Sequence, residues 1–97
     1  MRLVLHPKVS SDISSIMDYY EQVSTPELAD EFYRELRHHI VTAVEQPESY
    51  ALRERDIRRV NLRQFPYHFL FRIVDDTVRV LVVRHHSRRP SVGRTRR

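Results

Sequence analysis

Residues 57–90 of this chain read IRRVNLRQFPYHFLFRIVDDTVRVLVVRHHSRRP, a pattern that leaves few folds open. Tyr67, Phe69, Phe71 and Ile73 alternate with His68, Leu70, Arg72 and Val74. Val78, Val80 and Val82 alternate with Arg79, Leu81 and Val83. A period of two in β-branched and aromatic residues marks strands in a sheet. Asp75-Asp76 lies between the two runs and predicts a tight antiparallel hairpin. A shorter alternation precedes them, Val60 and Leu62 against Arg59, Asn61 and Arg63, and Phe65-Pro66 breaks it. The last run ends in a basic stretch, Arg84-His85-His86-Ser87-Arg88-Arg89-Pro90, the most function-suggestive feature of the sequence.

The residues before position 57 read as a helical cover for that sheet. Arg2 to His6 is a short apolar run that predicts a first strand. Pro7 then suits a first helical turn. Val9, Ile13, Ile16, Tyr20 and Val23 follow in steps of four and three, which is helical spacing. Ser10, Ser11, Asp12, Ser14, Ser15 and Asp18 take the wet face, with Ser10 and Ser11 as capping residues rather than nucleophiles. A second helix starts at Ser24-Thr25-Pro26-Glu27. Either Thr25 caps it with Pro26 at the first helical position, or Ser24 and Glu27 form a capping box. Leu28, Phe32, Leu36, Ile40 and Val44 make its stripe, and Pro47 stops it near Gln46. Its acidic residues gather early, which suits the helix dipole. Glu27, Glu31 and Glu35 are like charges four apart, so that face is either solvated or kept for another purpose. Residues 47–56 read as a connecting loop.

The order is therefore β-α-α-β-β-β, an α+β two-layer domain with a helical hairpin on one face of a mainly antiparallel sheet. The other face would carry some of Arg59, Asn61, Arg63, His68, Arg72, Arg79 and Arg84. The chain has 97 residues, enough for one domain. No cysteine is present, so disulfides and thiolate metal sites are excluded. No apolar run approaches ~18–20 residues and no signal-peptide core opens the chain, so a cytoplasmic protein is expected.

Charge divides the chain. Residues 1–50 hold four basic and nine acidic residues, a net of −5, whereas residues 51–97 hold thirteen and four, a net of +9. That asymmetry predicts an anionic partner for the sheet half. Of the basic residues only Lys8 is a lysine, and arginine favours bidentate contact to phosphate or carboxylate. His38-His39 is no metal pair, because adjacent helical residues diverge by about 100°. His85 and His86 fall on opposite faces of a continuing strand. HExxH is absent, and with Gly93 the only glycine a phosphate loop is excluded. Neither metal nor cofactor is expected.

In order and spacing, the chain resembles the RelE/ParE superfamily of bacterial toxins from type II toxin–antitoxin modules. The resemblance spans nearly all of it: an opening strand into His6-Pro7, a helical hairpin with Tyr19-Tyr20 and Phe32, the IRRVNLRQFPYHFLFRI block and the DDTVRVLVVRHHSRRP end. The resemblance implies the same β-α-α-β-β-β fold and a tight complex with a small, labile cognate antitoxin, in a heterotetramer. RelE-like members cut mRNA on the ribosome, and ParE-like members poison DNA gyrase. For ribonuclease chemistry, Arg63, Arg72 and Arg84 are candidates to steady the phosphate and His85 or His86 to act as acid or base. RelE-like nucleases often place a tyrosine near the C-terminus, and this chain has none after Tyr67. Its single lysine also departs from a lysine-rich active surface, so the resemblance is closer to the ParE branch. Two further classes are a nucleic-acid-binding module without chemistry and a member that has lost toxicity. Under any of these, Arg84, His85, Arg88 and Arg89 are expected to form a rim that engages target or antitoxin, with residues 91–97 a flexible basic tail.

Overall fold

In the computed structural model, residues 1–88, Gly93 and Arg96 are described. Strand β1 (Arg2–Leu5) leads to helices α1 (Val9–Val23) and α2 (Pro26–Glu45), and a 3-10 turn (Pro47–Ser49) follows. Strands β2 (Leu52–Glu54), β3 (Ile57–Asn61), β4 (Tyr67–Val74) and β5 (Thr77–His85) complete the order. They form one sheet in the order β1-β5-β4-β3-β2, in which β1 runs parallel to β5 and the other pairs are antiparallel. This is the expected α+β hairpin-on-sheet fold with one more strand. Residues 47–56, read as a loop, hold β2, which pairs with β3 around a turn where Arg55 has φ 51°.

The helices cover one face of the sheet. Val9, Ile16, Phe32, Leu36 and Ile40 pack on Val60, Phe69, Phe71, Val78 and Val80. Thr25 caps α2, its Oγ1 accepting from the Leu28 amide at 3.2 Å, with Pro26 in the first turn. Ser10 and Ser11 do not cap α1: Lys8 is the cap residue, and its amide donates to His6 Nδ1 at 3.1 Å. Val23, the last residue of the α1 stripe, is 60% exposed because the chain turns away at Ser24. Asp12 is not on the wet face; its carboxylate accepts from the Val83 amide at 3.1 Å.

The hairpin turn at Asp75-Asp76 is as read, with Asp75 in the left-handed region at φ 56°. Within the hairpin, Leu70 faces Val82 and Phe71 faces Val80, so Leu81 is an extra residue. Such a β-bulge exchanges the faces of all that follows it. Val83 therefore joins the helix-side core and Val82 points the other way, the reverse of the simple alternation. On that other face Val82 and Leu70 are 1% and 4% exposed.

Candidate functional site

Pairing register decides which functional candidates meet. His68 stands opposite Asn61 on one side and Arg84 on the other, so all three lie on the face away from the helices. Arg59, Arg72 and Arg79 share that face through their pairing with Leu70 and with each other. Arg63 does not, because β3 ends at Asn61 and Arg63 lies in the loop to β4. Its amide and that of Gln64 donate to the Glu35 carboxylate on α2, the latter at 3.0 Å.

At the end of this face is a polar cluster. His68 is 1% exposed. Arg84 Nε donates to its Nε2 at 2.9 Å, which puts the His68 proton on Nδ1. That Nδ1 faces His86 Nδ1 at 2.9 Å, so His68 donates and His86 accepts. The two rings are nearly parallel, with centroids 5.2 Å apart. Arg59 Nη2 reaches the same His86 nitrogen at 3.4 Å, and Arg59 Nε donates to Asn61 Oδ1 at 2.7 Å. Burial pushes the His68 pKa down to about 3, with Arg59, Arg84 and His86 adding repulsion. Burial and then Arg59 also lower His86. Both imidazoles are therefore neutral at pH 7. His68 itself escaped the sequence reading as a site residue. Its only signal is a histidine at a strand position flanked by large apolar residues.

The pleat of β5 parts Arg84 from His85. His85 points to the helix side, where its ring meets Tyr67 edge-on at 5.1 Å. Its Nδ1 accepts from the Ser87 amide at 3.0 Å and lies 2.7 Å from Ser87 Oγ. His85 and exposed Arg88 line a cleft of about 670 Å³ between α1 and the end of β5, together with Ser15, Tyr19, Tyr20 and Tyr67. Burial raises Tyr20 to about 12 and raises Tyr67 as well, so both phenols stay protonated. Arg72 lies elsewhere, paired with Asp56 at 2.6 Å. Arg63 and Arg72 thus stand apart from each other and from the end of β5, where Arg84 and His85 both border the cleft and His86 joins the His68 cluster. Of the expected rim, Arg84, His85 and Arg88 all line the cleft, although the Arg84 side chain, only 9% exposed, donates to His68 on the other face of the sheet. Arg89 lies outside the described residues. No three His, Asp or Glu side chains converge on a metal-sized site among the described residues.

Residues 3–90 match the family described as ParE toxin of type II toxin-antitoxin system, parDE. Toxin ParE2 of Mycobacterium tuberculosis H37Rv is 28% identical over 91 residues, covering 93% of this chain and 86% of that protein. The chromosomal ParDE toxin–antitoxin system of P. aeruginosa contains a chain that superposes with a TM-score of 0.78 at 20% identity, over 88% of this chain and 95% of that one. The isolated RelE toxin of E. coli superposes with a TM-score of 0.60 at 19% identity, over 94% and 88%. At these identities the structural likenesses speak for the fold alone.

Proposed function

The chain belongs to the ParE toxin family of type II toxin–antitoxin systems, and on that premise we propose that it arrests growth in the cytoplasm by inhibiting DNA gyrase. The observation that carries the choice of a non-catalytic mechanism is the His68–His86–Arg84 cluster. His68 has both ring nitrogens engaged and is held neutral by burial, His86 Nδ1 is engaged by it, and the phenols of Tyr20 and Tyr67 are held protonated. Cleavage of RNA through a 2′-hydroxyl needs a base and an acid that cycle at working pH. The remaining imidazole on the cleft, His85, has its Nδ1 engaged by Ser87, and the phenol beside it, Tyr67, is held protonated. A chain that acts by occupying a protein surface has no such requirement.

The proposed neutralising partner is a small cognate antitoxin. Support comes from the assemblies in which the structural relatives occur, the ParDE system of P. aeruginosa and the intact RelBE complex of E. coli. The +9 charge of residues 51–97 is a surface that an acidic segment would meet. The second reading, a ribosome-dependent mRNA endonuclease, draws on the likeness to the E. coli RelE fold. Induced expression separates them. Gyrase inhibition gives filamentation and DNA-damage signalling while translation continues, whereas an endonuclease stops protein synthesis first. Co-expression of the small neighbouring reading frame restores growth in either case; failure to do so contradicts the antitoxin assignment.

A further inference from the structure

A hydrogen bond from an arginine has only one possible direction, because a guanidinium donates and never accepts. Arg84 Nε therefore sets the polarity of the contacts beyond it on the face away from the helices. His68 Nε2, 2.9 Å away, is the acceptor. The one proton of the neutral His68 ring then sits on Nδ1 and points to His86 Nδ1, 2.9 Å away. His86 Nδ1 accepts, so its own proton sits on Nε2. Arg59 Nη2 approaches the same His86 nitrogen at 3.4 Å, a second donor on one acceptor. The two rings lie within 11° of parallel. His68 cannot turn this relay round, since it is 1% exposed and its Nε2 is committed to Arg84. His86 is at the other extreme. It is exposed, it follows the last residue of β5, and its amide donates to the Pro66 carbonyl at 2.9 Å. The turn that it opens carries Ser87 and Arg88, and the Arg88 amide donates to the His85 carbonyl at 3.0 Å.

We infer that His86 is a proton-sensitive latch, which holds the turn after β5 to the sheet while its ring is neutral and lets go when Nδ1 takes a proton. A protonated Nδ1 is itself a donor, and it faces two more, His68 Nδ1 and Arg59 Nη2, with no acceptor in that set. His68 cannot answer by changing tautomer, because Arg84 holds its Nε2. The exposed His86 ring therefore swings into water, and the turn that carries Arg88 loses a side-chain anchor. The groups that face His86 are His68 from β4, Arg59 from β3 and its own neighbour His85, with Arg84 and Arg53 beyond His68. Burial first, then Arg59 and His85, lower the pKa of the latched ring, so the released ring takes the proton more readily. The contact is accordingly intact above the ordinary imidazole value of about 6.5 and is lost as pH falls below it. The latch works in the same way whichever target the toxin meets. Nitrogen-15 NMR of the imidazoles in the full chain reads the tautomers directly. At about pH 7.5 the expected state has the His68 proton on Nδ1 and the His86 proton on Nε2. Between about pH 7.5 and 5 the residue-86 amide is expected to lose roughly tenfold in exchange protection, in step with protonation of its ring. His86→Asn offers an amide oxygen in place of Nδ1, an acceptor that does not titrate, and is expected to keep its protection across the range. His86→Ala removes the acceptor and is expected to show the low protection at both ends. The opposite tautomer on either ring, or parent-like protection in His86→Ala, overturns the relay. A loss of protection in His86→Asn equal to the parent's overturns the latch.

Discussion

His68 has an arginine and a histidine as hydrogen-bond partners, and arginines surround it: Arg59, Arg84 and Arg53. Burial first, and then repulsion from those arginines, depress its folded pKa to about 3, below the ordinary imidazole value. The sign follows: above pH 6.5 both folded and unfolded states hold it neutral, and stability is intact. As pH falls from about 6.5 towards 3, the unfolded chain gains a proton that the folded one refuses, and stability is lost. Between pH 6.5 and 5 the loss is roughly 1–2 kcal/mol, measured by urea titration at the two pH values. His68→Asn should flatten that dependence. Phe71, fully buried in the helix-side core, is a contrasting case, and Phe71→Ala should cost about 3–5 kcal/mol at any pH. Up to Val80, before the bulge, the alternation in the sequence showed which residues of each strand share a face. It did not show that His68 is buried between cations, nor that Asp12 meets Arg96. Those depend on contacts across 18 and 84 positions, which no local period encodes.

Among the elements, α2 does more than cover the sheet. Glu35 accepts from the amides of Arg63 and Gln64 and lies 3.2 Å from His39 Nε2, so one carboxylate ties the β3–β4 loop to the helix. This is what the crowded acidic face is kept for at that position, whereas Asp30 and Glu31 are solvated. Glu35→Ala should leave two loop amides without a partner and destabilise the fold by about 1–3 kcal/mol, with faster exchange at Arg63 and Gln64 as the local readout. The strands of the β4–β5 hairpin and the Thr25 cap were legible because periodicity and turn chemistry agreed there. β2 was not, since three residues are too few to show a period. The Leu81 bulge was hidden for another reason: in Leu81-Val82-Val83 every residue is apolar, so either face assignment satisfies the pattern.

As a whole molecule the protein sets an anionic helical hairpin against a cationic sheet. An antitoxin that reads this asymmetry is steered by charge, so raising salt from low to about 0.5 M should slow association by roughly tenfold while changing the off-rate little. Surface plasmon resonance across a salt series checks this. Arg88 on the cleft and the neighbouring Arg89 remain the proposed contact residues. Replacing both with Ala should abolish toxicity while altering stability by under about 0.5 kcal/mol, as thermal melts at matched expression would show. Unchanged killing would move the contact surface to the helical hairpin around Asp30, Glu31 and Glu35. The central claim is that this toxin acts by occupying a target rather than by cutting RNA. Its most direct test places the purified chain in a supercoiling reaction with purified gyrase, beside an in vitro translation reaction. The account predicts that supercoiling fails while mRNA stays whole. Normal supercoiling together with codon-positioned cuts in the message would contradict it.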